Sequence, residues 1–295
     1  MMISTNGTQL YVQTHEQNGD PVIFLHFGTT GHVGIWSEVI PHFRPHYWAV
    51  AIDLRGHGRS EKPAGGYTIS NMACDVVGVM DHLGIDRARF VGSSLGAEVS
   101  LRLAAEYPER VVSLVLEQAF QNAFGPHGIY EIPDEEIPAK LEELVARRAA
   151  RPPVVADTLE EAVNVLLQRW GRADWPEGPF RAAMRGSMGP RPDGRYGLLT
   201  PDAGMEEYVR DWWLTRFEQD FARVRCSVLF LPDEQSMQDP KVQASMAWFG
   251  GLLPDSQVVQ IPGAVHAAVW LDSPDECARA VLNFFGPKED PYAAG

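Results

Sequence analysis

The segment Gly92-Ser93-Ser94-Leu95-Gly96 lies between an apolar run, Ala88 to Val91, and a helix-like stretch from Ala97 to Tyr107. Small residues are common in turns, so the five letters alone say little. Between a strand and a helix they have a mechanical meaning. The glycines permit a turn sharp enough to lift the central serine above the sheet edge, with the next helix aiming its N-terminus at it. Ser94 is therefore the candidate nucleophile. A serine hydroxyl needs a neighbouring base at neutral pH. Of nine histidines, His266 follows an extended run, Gln257 to Ile261, and a Pro262-Gly263 turn, and precedes a helix expected over Pro274 to Phe285. That late position suits a general base.

Around this segment, apolar runs alternate with amphipathic stretches. Leu10 to Thr14, Val22 to Leu25, Tyr47 to Leu54 and Val111 to Leu116 read as strands, and Ile69 to Leu83 reads as a helix stopped by Gly84. This alternation predicts a mainly parallel sheet covered by helices. The pattern changes after Ala119. Helices are expected over Glu135 to Ala150, Thr158 to Trp170 and Met205 to Phe221. They are separated by Pro/Gly-rich breaks at 151–153 and 189–192, before a strand resumes at Ser227 to Leu231. Residues 1–119 and 223–295 are thus expected to form an α/β core, and 120–222 an inserted helical cap. The cap is rich in aromatic residues, and Trp170, Trp212 and Trp213 are its expected contribution to a substrate wall. Trp212 and Trp213 are adjacent, so they cannot both face one way along a helix.

A formal net charge of −14 argues against nucleic acid, an anionic membrane surface or a polyanionic substrate as partner. An apolar content of 45 % is enough for a sizeable core. Cys74, Cys226 and Cys277 have no metal-like spacing and read as buried free thiols. No secretory pattern is read at the N-terminus and no apolar run is long enough to span a bilayer, so a cytoplasmic location is expected. No metal or organic cofactor is called for. The expected partner is a small-molecule substrate, and the oligomeric state stays open between monomer and homodimer.

These motifs together resemble the α/β-hydrolase superfamily. Leu25-His26-Phe27-Gly28 is similar to its oxyanion segment, and the turn from Asp53 to Ser60 to its loop after the next strand. Tyr107-Pro108-Glu109-Arg110-Val111 is similar to the end of its nucleophile helix, and the stretch from Ile261 to His266 to its histidine loop. The resemblance implies an α/β-hydrolase fold with a cap, and a Ser94-His266-acid triad. It also implies an oxyanion hole from the backbone N–H of Leu95 and that of Gly28 or, alternatively, Phe27. The family's common acid position, after its seventh strand, falls here on Ser236. A minority places the acid after the sixth strand, where Glu117 ends the run Leu114-Val115-Leu116, one residue before the family's usual register at Gln118. Glu117 is therefore the expected acid, with Asp233 second.

The resemblance implies a serine hydrolase that cleaves a carboxylic ester or lactone of a bulky apolar substrate. The acid placement and aromatic cap are similar to those of fungal lactonases that open the macrolactone zearalenone. Three alternatives stay open: hydrolysis of C–C bonds in β-diketone-like products, perhydrolysis, and a ligand receptor with a vestigial triad.

Overall fold

Strands buried on both faces need cover on both sides, and the alternating residues of the central strands show where that cover lies. A computed structural model describes residues 1–175, 177–263, 266 and 268–286. Its main sheet contains β1 (Met2–Thr5), β2 (Thr8–Thr14), β3 (Pro21–Leu25), β4 (Trp48–Ile52), β5 (Ala88–Ser93) and β6 (Val111–Glu117). An insertion follows with three short strands of its own, β7 (Val155–Ala156), β8 (Met188–Pro190) and β9 (Tyr196–Leu198). The main sheet then resumes with β10 (Ser227–Phe230) and β11 (Ser256–Val258). Its spatial order is β1-β2-β4-β3-β5-β6-β10-β11, with the first two pairings antiparallel and the rest parallel.

The core helices are α1 (Ile40–Phe43), α2 (Ile69–Leu83) and α3 (Leu95–Glu106). The insertion adds α4 (Ile137–Ala149), α5 (Leu159–Arg169), α6 (Pro179–Gly186), α7 (Asp202–Leu214) and α8 (Phe217–Phe221), after which come α9 (Pro240–Gly250), α10 (Val269–Asp272) and α11 (Pro274–Phe285). Ile23 and Leu25 of β3 pack with Met72 and Val76 of α2 and Val99 and Leu103 of α3. Val22 and Phe24, one residue out of phase, pack with Phe43 of α1 and Val281 of α11. The period-two alternation of one strand thus feeds two separate cores.

Strand order also locates the site. The chain leaves β3 for β4 on one side, then crosses back to β5 on the other. The loops after β3 and β5 therefore diverge at a switch point, where the carboxyl ends of parallel strands leave a crevice. The first loop carries Phe27 and Gly28, and the second carries Ser94.

Two segments differ from the sequence expectation. β1 pairs with β2 as a hairpin, although Met2 to Thr5 carries only a short apolar signal. The insertion is also not wholly helical: β7, β9 and β8 form a small antiparallel sheet. The Gly/Pro-rich break around 190 is the turn of its hairpin, closed by Arg191 N–H donating to the Arg195 carbonyl (2.8 Å) with Gly194 at φ 81°. Strands of two or three residues are too short to show a period.

The chain enters and leaves the insertion close together. The buried Asn122 amide donates to Glu218 (2.6 Å) and its oxygen accepts the Phe217 N–H (3.0 Å). Among the described residues no helix is long and apolar enough to cross a membrane.

The turn after β4 is clamped to α2 by Arg55, whose Nε and Nη2 each donate to the Asp75 carboxylate at 2.6 Å. Arg55 is 5 % exposed and Asp75 is fully buried. Removing one member of such a pair strands a buried charge. Asp75→Ala is expected to lower the free energy of unfolding by about 3–5 kcal/mol, measured by urea denaturation.

Candidate active site

Ser94 directly follows β5 and caps α3 with φ 49° and ψ −114°, a backbone conformation that a non-glycine residue rarely adopts. Such strain costs about 1–3 kcal/mol and persists only when the surroundings over-determine it. Here they do. Ser94 N–H donates to the Glu117 carbonyl (2.7 Å), and its own carbonyl accepts the Glu98 N–H (3.0 Å). The flanking glycines answer a different need, close approach. A Cβ on Gly92 would lie 2.6 Å from Ala97 Cα, and one on Gly96 would lie 2.0 Å from the Leu25 carbonyl oxygen. The turn is sharp because two backbones pass where no side chain fits.

Opposite Ser94, the loop after β3 is pinned from below by two buried imidazoles whose ring centroids lie 5.0 Å apart. His26 Nδ1 donates to the Phe27 carbonyl (2.7 Å), while its Nε2 accepts the Leu54 N–H (2.9 Å). His57 Nδ1 donates to the Arg55 carbonyl (2.9 Å), and its Nε2 accepts the Thr29 N–H (3.0 Å). Burial lowers the pKa of each ring to about 3, so both remain neutral and keep these tautomers. Asp53 accepts the N–H groups of Val33 (2.6 Å) and Arg59 (2.8 Å), which fixes the far end of the loop. Gly28 is thereby held against Leu95: a Cβ on Gly28 would stand 3.6 Å from the Leu95 side chain. The two backbone positions expected to form an oxyanion hole are neighbours. Phe27 and Gly28 both line the same cavity as Ser94.

His266 is brought to this place by the turn after β11 and is 44 % exposed. Its neighbours in the histidine loop, Ala264, Val265 and Ala267, lie outside the described residues. Its Nδ1 donates to Glu117 Oε1 (2.9 Å). Glu117 is fully buried at the end of β6, and Ser93, its register partner on β5, donates Oγ–H to Oε2 at 2.5 Å. Burial alone would depress the His266 pKa, but the Glu117 carboxylate outweighs it, with Asp233 and Glu98 adding in the same direction, and raises it above the ordinary imidazole value.

Asp233 stands close by but is otherwise engaged. Its carboxylate accepts the Ser236 N–H (2.9 Å), the Ser236 hydroxyl (2.5 Å) and the Gln118 amide (2.7 Å). Gln118 and Ala119 turn the chain at φ 70° and 65°, and the Gln118 amide is spent on Asp233 and the Ser236 hydroxyl (2.9 Å), while Glu117 meets His266. The Glu117, Asp233 and His266 donor atoms lie within 4.8 Å of one another. This is the one such cluster among the described residues, and its donor atoms are already paired with Ser93, Ser236, Gln118 and each other.

Two further residues join the site that the sequence pattern alone does not mark. Glu98, in the first turn of α3, is 5 % exposed and accepts a hydrogen bond from Tyr208 Oη of the insertion (2.7 Å) and another from the Trp212 indole. Burial pushes its carboxyl up to about 7 against those hydrogen bonds and the field of His266. An acidic residue among the small and apolar residues of the first turns of α3 is visible in the sequence, but its partner some hundred positions later is not. Ser93 was visible only as a neighbour of Ser94, because strand register is what sets it beside Glu117.

Ser94 and His266 open into one cavity of about 760 Å³, roofed by the insertion. Trp170 lines it, with Leu166, Met205 and Tyr208. The expectation for the adjacent tryptophans is corrected: Trp212 and Trp213 pack with Ala123, Phe124 and Leu144 instead of facing this cavity. Trp213 packs there alone, whereas Trp212, one residue round the helix, also reaches the main core.

An eight-stranded, mostly parallel sheet with a serine elbow at its switch point is the architecture of the α/β hydrolases. Residues 20–273 match that family's sequence profile, described as the alpha/beta hydrolase fold, and the chain belongs to it. Hydrolases are among its relatives. It is 30 % identical to 2-(acetamidomethylene)succinate hydrolase of Mesorhizobium japonicum over 278 residues, covering 94 % of this chain and 92 % of that protein. It is also 30 % identical to 3-oxoadipate enol-lactonase 2 of Acinetobacter baylyi over 114 residues, 39 % of this chain and 43 % of the lactonase. The crystal structure of E-2-(acetamidomethylene)succinate hydrolase superposes with a TM-score of 0.75 at 27 % identity, over 97 % of this chain and the whole of that one.

Two measurements check the local arrangement. Ser93→Ala leaves Glu117 Oε2 without its buried donor, and kcat is expected to fall about tenfold with little change in KM. For Glu98 the folded carboxyl pKa lies above the unfolded value, so the stability it contributes is complete below about pH 4 and is lost as pH rises through about 7. Glu98→Gln should remove a stability loss of about 3 kcal/mol over that interval, seen as a flatter melting-temperature profile between pH 4.5 and 7.5.

Proposed function

We propose that this chain is a serine hydrolase that cleaves a carboxylic ester or lactone through an acyl-enzyme, with Ser94 as nucleophile, His266 as base and Glu117 as acid. The observation that carries this reading is the strained Ser94 turn sharing a cavity with a histidine whose Nδ1 is committed to a buried carboxylate. With Nδ1–H donated to Glu117, the lone pair of His266 lies on Nε2, free to take the Ser94 proton. Ser94 Oγ attacks the carbonyl carbon. The oxyanion forms against the N–H groups of Leu95 and Gly28, with Phe27 as the alternative to Gly28. His266 then protonates the leaving alkoxide and activates water against the acyl-enzyme.

The substrate is a small molecule of some bulk, since ligand sites of about 300–1,000 Å³ bury most of a drug-sized molecule and this cavity falls within that range. Residues 120–222 act as the cap. Asp233 stands as a supporting residue and not as the triad acid, because its oxygens are taken by Ser236 and Gln118.

Ser94→Ala is expected to lower kcat by three or more orders of magnitude while the melting temperature holds, and retention of a tenth of the wild-type rate would refute the nucleophile. Glu117→Gln should cost about two to four orders, against a few-fold for Asp233→Asn. The acid limb of kcat/KM reports deprotonation of His266, whose pKa is raised. Activity is therefore lost as pH falls through a midpoint above the ordinary imidazole value of about 6.5, and in Glu117→Gln the midpoint moves down. A panel of p-nitrophenyl esters, a macrolactone and a β-diketone separates ester, lactone and C–C cleavage.

A further inference from the structure

The wall of the catalytic cavity carries charge of the opposite sign to the chain as a whole. Lysine and arginine number 25 against 39 acidic residues, yet Arg148, Arg151, Arg169 and Arg172 all line this cavity, where the carboxylates are Asp202 and Glu206. The arginines come as two pairs spaced i, i+3, one at the C-terminal end of α4 and one at that of α5. Cations are favoured at helix C-termini for local reasons, so each needs separate inspection. Arg169 is explained locally, since its Nη2 donates to the Pro152 carbonyl. Arg172 is explained in part, its guanidinium lying 4.1 Å above the Trp175 ring. Arg148 is not explained. It is half-buried beside the cavity, and among the described residues its guanidinium makes no hydrogen bond or ion pair. Glu206, which could have neutralised it, pairs with Arg210 at 3.3 Å.

A guanidinium held partly out of water, next to a second one, gains most from a planar oxyanion that accepts two of its N–H donors. We propose that Arg148, supported by Arg151, binds a carboxylate on the substrate, so that the ester or lactone opened at Ser94 belongs to an acid ionised at a second position. This rests on the serine-hydrolase reading above and narrows its substrate from apolar to anionic. Burial, and after it the like charge of Arg151, lower the Arg148 pKa, and the fields of Asp202, Tyr208 and Glu206 only partly oppose them.

The test compares monomethyl glutarate, which is anionic, with dimethyl glutarate, its neutral counterpart, followed by pH-stat. Binding of the same two compounds to Ser94→Ala is measured by calorimetry. The wild type is expected to favour the half-ester in kcat/KM by about tenfold or more, through KM. Arg148→Met should collapse that ratio towards one. Arg148→Lys should restore it in part and Arg151→Met should weaken it, while Arg195→Met, on the exposed hairpin, should leave it as it is. Raising the salt concentration should narrow the preference. Equal use of the two esters, with Ser94 required for both, overturns the carboxylate site and leaves the hydrolase reading standing. A loss in Arg148→Met that is equal for both esters also overturns it. Arg148-dependent binding of the half-ester to Ser94→Ala without turnover of either ester supports the carboxylate site and counts against ester hydrolysis. Neither turnover nor binding overturns both. If Arg148→Met melts well below the wild type, Arg151→Met and the salt dependence decide alone.

Discussion

The buried carboxylate of Glu117 joins the parts of this molecule that have to be joined. It ends β6, takes the His266 proton on one oxygen and the Ser93 hydroxyl on the other, and lends its backbone carbonyl to the Ser94 N–H. One residue thus sets the histidine's tautomer, ties two neighbouring strands and helps hold the serine in a backbone conformation it would not otherwise keep. A carboxylate with no exposure is costly unless every oxygen is paired. Here both are, and the pairing partners are the site itself. The same few hydrogen bonds offset both the strain at Ser94 and the desolvation of Glu117.

Around that point the site is held by groups that do no chemistry. His26 and His57 are locked neutral under the loop of Phe27 and Gly28, and Asp53 holds its far end. The Arg55–Asp75 clamp steadies the turn that carries His57. Positioning residues outnumber reacting ones, as expected where a tetrahedral oxygen must meet two backbone donors at fixed distances.

Much of this was legible in the chain. The elbow, the late histidine and the run ending in Glu117 each combine a residue type with a strand or helix boundary, and boundaries follow from apolar periodicity. The acid was harder, because Glu117, Gln118 and Asp233 lie close in the fold. What separates them is pairing across the fold, which no pattern announces: His266 bonds Glu117, while Gln118 and Ser236 occupy Asp233. The cap was legible only as an interruption. Its short strands lack a period, and the direction of Trp212 and Trp213 depends on what α7 packs against. Net charge says little about the cavity for a physical reason: it sums over the surface, whereas a cavity wall is a few residues, and at Arg148 the local sign runs against the total.

The insertion is also bonded to the loop it covers. Thr200 donates its hydroxyl to the Thr29 carbonyl (2.7 Å), and His32 meets the Ala183 carbonyl (2.8 Å). A segment attached in this way cannot be treated as a detachable module. Exchanging it for the equivalent segment of a relative would change the cavity wall and, in the same step, unpair two polar groups on the loop that carries Phe27 and Gly28. Chimaeras at this boundary therefore need Thr200 and the α6 carbonyl carried over with the core, or the scaffold that receives a new substrate will lose part of its ability to turn it over.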